Sequence, residues 1–142
     1  MTTAITWDSV MILSDRLAER VKADGYRPNM IVAVARGGFV PARLLSSRLS
    51  IARLSSIGVR YQGESRRDHT FYSFPDPINE RDYILLVEDV LETGRTLRDA
   101  RQLLRTKAAE VRTGAYYYQQ GSVIVPDYSL GATRHVPTFP WE

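Results

Sequence analysis

Residues 84–97 read Ile-Leu-Leu-Val-Glu-Asp-Val-Leu-Glu-Thr-Gly-Arg-Thr-Leu. Together with Tyr83, the first four of these residues form an apolar run that is typical of a strand buried on both faces of a parallel sheet. Two acids, a polar loop and a helix expected over 95–107 follow this run. Such a strand–loop–helix order predicts a βα unit whose polar groups gather at the carboxyl end of the strand.

The polar part of this stretch combines two kinds of ligand-binding group. Glu88 and Asp89 are adjacent carboxylates, which accept hydrogen bonds from vicinal hydroxyls or coordinate a hard cation. Thr93, Gly94 and Thr96 supply hydroxyls and backbone N–H groups at a helix N-terminus, where the helix dipole favours a phosphate. A turn in which Asp89 or Thr93 only caps the helix explains single residues, but the ordered string favours a site for a ribose 5-phosphate.

Outside this stretch, helical and strand-like patterns alternate along the chain. We predict helices over 7–23, 40–49 and 95–107, and strands over 30–35, 54–61, 83–87 and 111–118. This alternation predicts an α/β fold with a mostly parallel twisted sheet flanked by helices and right-handed crossovers. The length of 142 residues suits a single domain that spans residues 1–142.

Two segments show neither the helical nor the strand-like spacing of apolar residues. Residues 62–79 are polar, with Gly63, Pro75 and Pro77, and predict a long mobile loop that serves as a lid; we expect His69 to be exposed there. Residues 119–142 are rich in turns and aromatic side chains and predict no long element.

Composition excludes several classes of protein. The chain has no cysteine, so it forms neither disulfides nor thiolate metal sites. No apolar run approaches the roughly 18 residues of a membrane span, and residues 1–8 show no secretory signal, so we expect a cytoplasmic protein. The net charge of +3 comes from scattered basic residues, without the basic block that a nucleic-acid partner favours.

Three stretches carry a resemblance to a known family. Residues 84–97 resemble the motif that binds phosphoribosyl pyrophosphate (PRPP) in type I phosphoribosyltransferases. Residues 32–42, with Arg36-Gly37-Gly38, are similar to the pyrophosphate loop of the hypoxanthine, guanine and xanthine members. Residues 126–128 and the ending Phe139-Pro140-Trp141-Glu142 resemble the C-terminal hood of a microbial purine group, although Phe139 and Trp141 are also read as anchors that hold down the C-terminal segment.

The resemblance implies roles for individual residues. Glu88 and Asp89 would act in catalysis and bind the ribose hydroxyls and Mg²⁺. Ribose 5-phosphate binding is further assigned to Thr93, Gly94, Arg95 and Thr96, and pyrophosphate binding to Arg36, Gly37, Gly38 and Arg66. Because related enzymes often have a cis peptide at the pyrophosphate loop, we expect one between Arg36 and Gly37.

The base-binding residues depart from the family pattern. Glu92 matches a position whose carboxylate approaches the base and serves as general base, although a solvated loop acid fits the same pattern. Gln119 stands where purine enzymes commonly have a lysine, and Val136, with its neighbour His135, replaces a stacking aromatic residue. Glutamine both donates and accepts hydrogen bonds, so the identity of the base stays open.

The implied activity is therefore transfer of a phosphoribosyl group from PRPP to a purine base in purine salvage, with Mg²⁺ as cofactor. Two alternatives remain: a phosphoribosyltransferase that acts on a different base, and a non-catalytic regulator of the same fold that senses PRPP or nucleotides. The resemblance also implies a homodimer or homotetramer with small-molecule substrates.

Overall fold

The computed structural model describes residues 3–63, 68–75 and 77–142. The helices are α1 (Trp7–Ala23), α2 (Phe39–Arg48) and α3 (Arg95–Arg105), and the strands are β1 (Met30–Ala35), β2 (Leu54–Gln62), β3 (Asp68–Ser73), β4 (Tyr83–Val87), β5 (Val90–Leu91), β6 (Glu110–Gly114), β7 (Tyr117–Gln119) and β8 (Ala132–Thr133). The bounds of α1, β1 and β4 are those that the sequence predicts. Those of α2, β2 and α3 differ by one or two residues.

The central sheet has the strand order β3-β2-β1-β4-β6. Strand β1 pairs in parallel with β2 and β4, β4 pairs in parallel with β6, and only β3 is antiparallel to its neighbour. From β1 the chain moves through α2 to β2 on one side, whereas from β4 it moves through α3 to β6 on the other. The order therefore reverses between β1 and β4, and open α/β sheets bind ligands at such a point.

The sheet is buried on both faces, which explains the continuous apolar runs of its inner strands. Alternate residues of β1 point to opposite faces: Ile31 and Ala33 pack in the cluster that includes α1 and α2, and Val32 packs in the cluster that includes α3. None of the helices within the described ranges is long and apolar enough to cross a membrane.

The segment predicted as a long loop contains a strand, so that part of the lid prediction is wrong. Residues Asp68–Ser73 form β3, which pairs with β2 in an antiparallel hairpin. His69 and Phe71 are half-buried while Asp68, Thr70 and Tyr72 are exposed, the alternation of a strand with one packed face. The expectation of an exposed His69 is also wrong, because its side chain is 8% exposed.

The strand predicted over 111–118 is two strands in two sheets. Strand β6 ends at Gly114, and β7 pairs with β5 and β8 in a second, three-stranded sheet. The break occurs at Tyr116, whose N–H donates to the Asp89 carbonyl at 2.9 Å and whose buried hydroxyl lies 2.6 Å from Ser14 Oγ. The small C-terminal layer therefore begins before residue 119 and includes Val90–Leu91.

The buried carboxylate of Asp82 links the amino-terminal ends of β1, β2 and β4. Asp82 is 3% exposed and accepts hydrogen bonds from Arg53 Nη1 at 2.7 Å, Asn29 Nδ2 at 3.0 Å and the Asn79 N–H at 2.9 Å. The hydrogen bond from Arg53, together with those from Asn79 and Asn29, lowers the pKa of Asp82 to about 2.

This depressed pKa predicts a component of acid stability. The contribution of Asp82 is fully present above its unfolded pKa of 3.8 and is lost as the pH falls through about 2. We expect Asp82→Asn to lose about 2 kcal/mol of unfolding free energy at neutral pH, and this loss to shrink as the pH falls to 2. Urea unfolding between pH 2 and 7 measures it. Asp15→Asn, at an exposed ion pair with Arg48, is the control; equal pH profiles for the two variants would refute the assignment.

Candidate active site

The carboxyl ends of β1 and β4 open into a cavity of about 690 Å³, a size that suits a small-molecule ligand. Its walls come from the loop after β1, the loop between β4 and α3, the β2–β3 hairpin and the C-terminal segment. The lining residues are Ala35, Arg36, Gly37, Val40, Val59, Tyr61, Tyr72, Glu88, Asp89, Val90, Leu91, Glu92, Thr93, Gly94, Thr96, Leu97, Trp141 and Glu142. The cavity thus occupies the point at which the strand order reverses.

Asp89 is the buried acid of this cavity, with 7% of its surface exposed. Its Oδ1 accepts a hydrogen bond from the Val90 N–H at 2.7 Å, and its Oδ2 accepts one from Trp141 Nε1 at 3.1 Å. Burial raises the pKa of the Asp89 carboxyl, and these two hydrogen bonds oppose the rise. A carboxylate held at both oxygens keeps a fixed orientation toward the cavity.

Gly37 leaves room for that carboxylate. A Cβ at residue 37 would lie 2.7 Å from Asp89 Oδ1, so any side chain there would displace the acid. The loop after β1 and the loop after β4 therefore meet at the Gly37–Asp89 contact.

The other two acids of the stretch also line the cavity. Glu88 is half-buried and follows β4 directly, and its backbone N–H donates to the Gly114 carbonyl at 3.0 Å. Glu92 is exposed at the end of the short strand β5. The structure thus brings all three predicted catalytic residues to one cavity, with Asp89 the most deeply buried.

The predicted phosphate-binding residues form the entry to α3. Gly94 is the N-cap and adopts a φ of +79°, a left-handed conformation that glycine accommodates without strain. A Cβ there would also collide with Ser122 Oγ. Thr93, Gly94 and Thr96 line the cavity, whereas Arg95 is exposed outside its lining and its N–H lies 3.3 Å from Thr93 Oγ1. The helix N-terminus therefore faces the cavity, as phosphate binding requires.

The predicted pyrophosphate residues divide into three groups. Arg36 and Gly37 line the cavity. Gly38 lies outside the lining and caps α2, where a Cβ would overlap the Val87 carbonyl oxygen and lie 2.8 Å from the Val34 backbone nitrogen. Arg66 lies outside the described residues. The cis peptide bond joins Ala35 and Arg36, so the expected position after Arg36 is wrong by one bond.

The structure does not bring two of the predicted base-binding residues into the cavity. Gln119 is half-buried in β7, and its Nε2 lies 3.4 Å from the Arg134 carbonyl. Val136 is partly buried and packs against the core cluster beside α1. Of the three residues assigned to the base, only Glu92 lines the cavity.

Tyr61 and Trp141 are among the cavity residues that the sequence assignments do not include. Tyr61, at the end of β2, places its hydroxyl 3.1 Å from Thr96 Oγ1. Trp141 stacks on Phe139, with ring centroids 4.7 Å apart, as expected of an anchor, but it also donates to Asp89. Neither contact has a local sequence signal, because its partners are 35 and 52 residues apart.

The cavity offers carboxylate oxygens as ligands for Mg²⁺, but its described residues do not supply a complete coordination shell. Among the residues that the structure describes, no three acidic or histidine side chains cluster as a metal site. Protein-bound Mg²⁺ is commonly held by one or two carboxylates together with substrate phosphates. The Glu88–Asp89 pair fits that donor set.

Comparison with known proteins agrees with this architecture. The model of the phosphoribosyl transferase domain matches residues 6–141, and the chain belongs to that family. The purine phosphoribosyltransferase from Pyrococcus horikoshii Ot3 superposes with a TM-score of 0.89 at 29% identity, covering 99% of this chain and 93% of that one. The predicted fold, a mostly parallel sheet flanked by helices, is thereby confirmed.

Curated relatives are named for purine bases. The xanthine-guanine phosphoribosyltransferase of Vibrio vulnificus (strain YJ016) is 35% identical over 101 residues, which are 70% of this chain and 63% of that protein. The protein of the same name from Ruegeria sp. (strain TM1040) is 28% identical over 153 residues, with 97% of this chain and 84% of the relative covered. The chain thus spans just under two thirds of the Vibrio enzyme.

Proposed function

We propose that the protein transfers the 5-phosphoribosyl group of PRPP to a purine base, giving a nucleoside 5′-monophosphate and pyrophosphate. One observation carries the proposal: the buried acid Asp89, the α3 entry at Gly94 and Thr96, and Arg36 all line the same cavity. These groups complement ribose hydroxyls, a 5-phosphate and a pyrophosphate. The names of the Vibrio and Ruegeria relatives support a 6-oxopurine as acceptor.

The reaction exchanges two bonds at C1 of the ribose. A nitrogen of the base forms a bond to C1 while the bond from C1 to the pyrophosphate oxygen breaks, and the pyrophosphate leaves with the electron pair. Positive charge develops on the sugar while these bonds exchange, as in glycoside hydrolysis. We assign stabilisation of that charge to Asp89 and Glu88, and binding of the departing anion to Arg36, because all three residues line the cavity.

Mg²⁺ is part of the proposal, with Glu88 and Asp89 as its protein ligands. When bound, the ion supplies charge that stabilises the leaving pyrophosphate. The fixed orientation of Asp89, held by Val90 and Trp141, keeps its remaining lone pairs available to the ion or to the ribose hydroxyls.

Glu92 is proposed as the general base. The attacking nitrogen of a purine loses a proton, and a carboxylate on the cavity wall accepts it. Its exposed position suits a group that meets the base after the base has entered.

Acceptance of a different base is the second candidate function. Gln119 lies near the Arg134 carbonyl and outside the cavity lining, so the family's usual contact with an exocyclic oxygen is not preformed. Gln119 and Val136 would take part in base recognition only if the C-terminal segment rearranged on binding.

Closure, location and assembly complete the proposal. Water would hydrolyse an activated sugar, so the segment 62–79, whose strand β3 contributes Tyr72 to the cavity wall, is proposed to exclude it. Arg66 is proposed to contact pyrophosphate from that segment.

Because charged phosphates do not cross membranes freely, a cytoplasmic location gives the protein its substrate. One domain spanning residues 1–142 and a homodimer or homotetramer are likewise proposed, and light scattering during gel filtration measures the assembly.

The test is pyrophosphate release from PRPP with Mg²⁺ and a panel of bases: hypoxanthine, guanine, xanthine, adenine and uracil. We expect release with the three 6-oxopurines. In Glu92→Gln, kcat for these bases should fall about 10²-fold or more with an unchanged KM for PRPP, because only the proton acceptor is lost.

Glu80→Gln, an exposed acid outside the cavity, is the matched control and should keep wild-type turnover. Wild-type turnover of every base by Glu92→Gln would remove its catalytic role. Binding of PRPP without release in the presence of any base would favour the sensing regulator instead.

A further inference from the structure

The β2–β3 hairpin contacts α3 through a pair of residues that face each other across the hairpin. Tyr61 and His69 are direct partners in the antiparallel register. The Tyr61 hydroxyl lies 3.1 Å from Thr96 Oγ1, and His69 Nε2 lies 3.0 Å from Asp99 Oδ2. Thr96 and Asp99 are three residues apart on α3 and therefore share one face of the helix. The cross-strand pair thus holds one face of α3 at two points.

His69 is fixed by its surroundings. Its side chain is 8% exposed, and its ring lies between Tyr61 and Phe71, at centroid distances of 6.4 and 5.3 Å. Within the described part of the chain, its buried Nδ1 has no hydrogen-bond partner, so Asp99 supplies its polar contact there. A ring packed in this way, outside the cavity lining, can position its neighbours without touching a ligand.

Tyr61 and Thr96 both line the cavity, and their hydroxyl oxygens lie 3.1 Å apart. A phosphate monoester has several acceptor oxygens, so two hydroxyls about 3 Å apart can donate to it together. Hydrogen bonds to a charged acceptor are stronger than the hydroxyl–hydroxyl contact that they replace. A bound phosphate would therefore bridge the hairpin and α3 in place of the direct hydroxyl–hydroxyl contact.

We propose that Tyr61 is a ligand of the 5-phosphate, donating beside Thr96, and that His69 and Asp99 are residues that position it. This role rests on the proposed function, which places the 5-phosphate at the start of α3. It goes beyond that function by assigning to the hairpin a phosphate contact at a site separate from the pyrophosphate.

Calorimetric titration with ribose 5-phosphate, and separately with pyrophosphate and Mg²⁺, tests Tyr61. Tyr61→Phe keeps the ring and should weaken ribose 5-phosphate about tenfold, since one hydrogen bond to a charged group is lost, while pyrophosphate binding stays unchanged. Tyr83→Phe, an exposed tyrosine outside the cavity, is the control and should change neither.

The outcomes separate this role from the proposed function. If Tyr61→Phe binds PRPP as tightly as the wild type does, and ribose 5-phosphate likewise, the role of Tyr61 alone is overturned. A wild-type protein that binds neither overturns the proposed function, and the role of Tyr61 with it.

A double-mutant cycle tests the positioning residues. Asp99→Ala should weaken ribose 5-phosphate about threefold in the wild-type background and have no effect in Tyr61→Phe, because it acts through the tyrosine. Asp99→Asn, which keeps an acceptor for His69 Nε2, should restore the affinity. An equal loss in both backgrounds would show that Asp99 does not act through Tyr61 and would overturn its assigned role.

Discussion

Asp89→Asn is expected to lower kcat for pyrophosphate release by about 10²- to 10³-fold without unfolding the protein. The change keeps the size of the side chain and removes the charge to which we assign stabilisation of the sugar and binding of the metal. Because burial raises the pKa of Asp89, the charged carboxylate is costly to the folded state. The asparagine relieves that cost while it loses one of two hydrogen bonds, so the midpoint of thermal unfolding should move by only a few degrees.

Asp24→Asn is the matched control for this variant. Asp24 also accepts two hydrogen bonds, from Arg112 Nη1 at 2.7 Å and the Tyr128 hydroxyl at 2.6 Å, but it lies outside the cavity lining. It should keep wild-type kcat. Equal kcat values for the two variants would contradict the role of Asp89, whether both values were above or below that of the wild type.

Gly94→Ala is expected to raise the KM for PRPP at least 10²-fold and to destabilise the fold. The substitution combines two costs: a φ of +79°, which an alanine adopts only with strain of about 1 kcal/mol, and a Cβ that overlaps Ser122 Oγ. Relief of the overlap requires the α3 entry to move, and a displacement of about 1 Å in a binding site is enough for a loss of this size. Steady-state kinetics and urea unfolding measure the two effects.

Gly121→Ala separates strain from displacement. Gly121 has a φ of +92°, but nothing lies within 4 Å of its would-be Cβ. It should therefore show a similar loss of stability from strain and little change in the KM for PRPP. If the KM for PRPP is no higher in Gly94→Ala than in Gly121→Ala, the α3 entry does not bind the substrate.

The inner strands and the site loops could be predicted because their signals are local. Strands β1 and β4 are continuous apolar runs. The glycines and acids that directly follow them in the sequence are therefore predicted to lie at the carboxyl ends of the strands. The hairpin strand β3 was missed because only one of its faces packs. Its inward positions, His69 and Phe71, mix a polar with an apolar side chain and leave a weak alternation.

Contacts between distant residues could not be predicted. Nothing in the sequence near Trp141 indicates that its indole donates to Asp89, and Tyr61 looks like any aromatic residue of a strand. Gln119 was assigned by alignment with the family's lysine, but pairing of β7 with β8 sets its surroundings and places it near Arg134. The predicted pyrophosphate role of Gly38 stays a prediction, and the structure adds that its missing side chain allows α2 to approach β1 and β4 closely.

The central claim is that residues 88–97 bind the ribose 5-phosphate half of PRPP. Calorimetric titration of PRPP with Mg²⁺ into the wild type, Asp89→Asn and Gly94→Ala tests it most directly. We predict one PRPP bound per chain, competition by ribose 5-phosphate, and affinity at least tenfold weaker in both variants. Unchanged affinity in both variants, or no binding by the wild type, would contradict the claim.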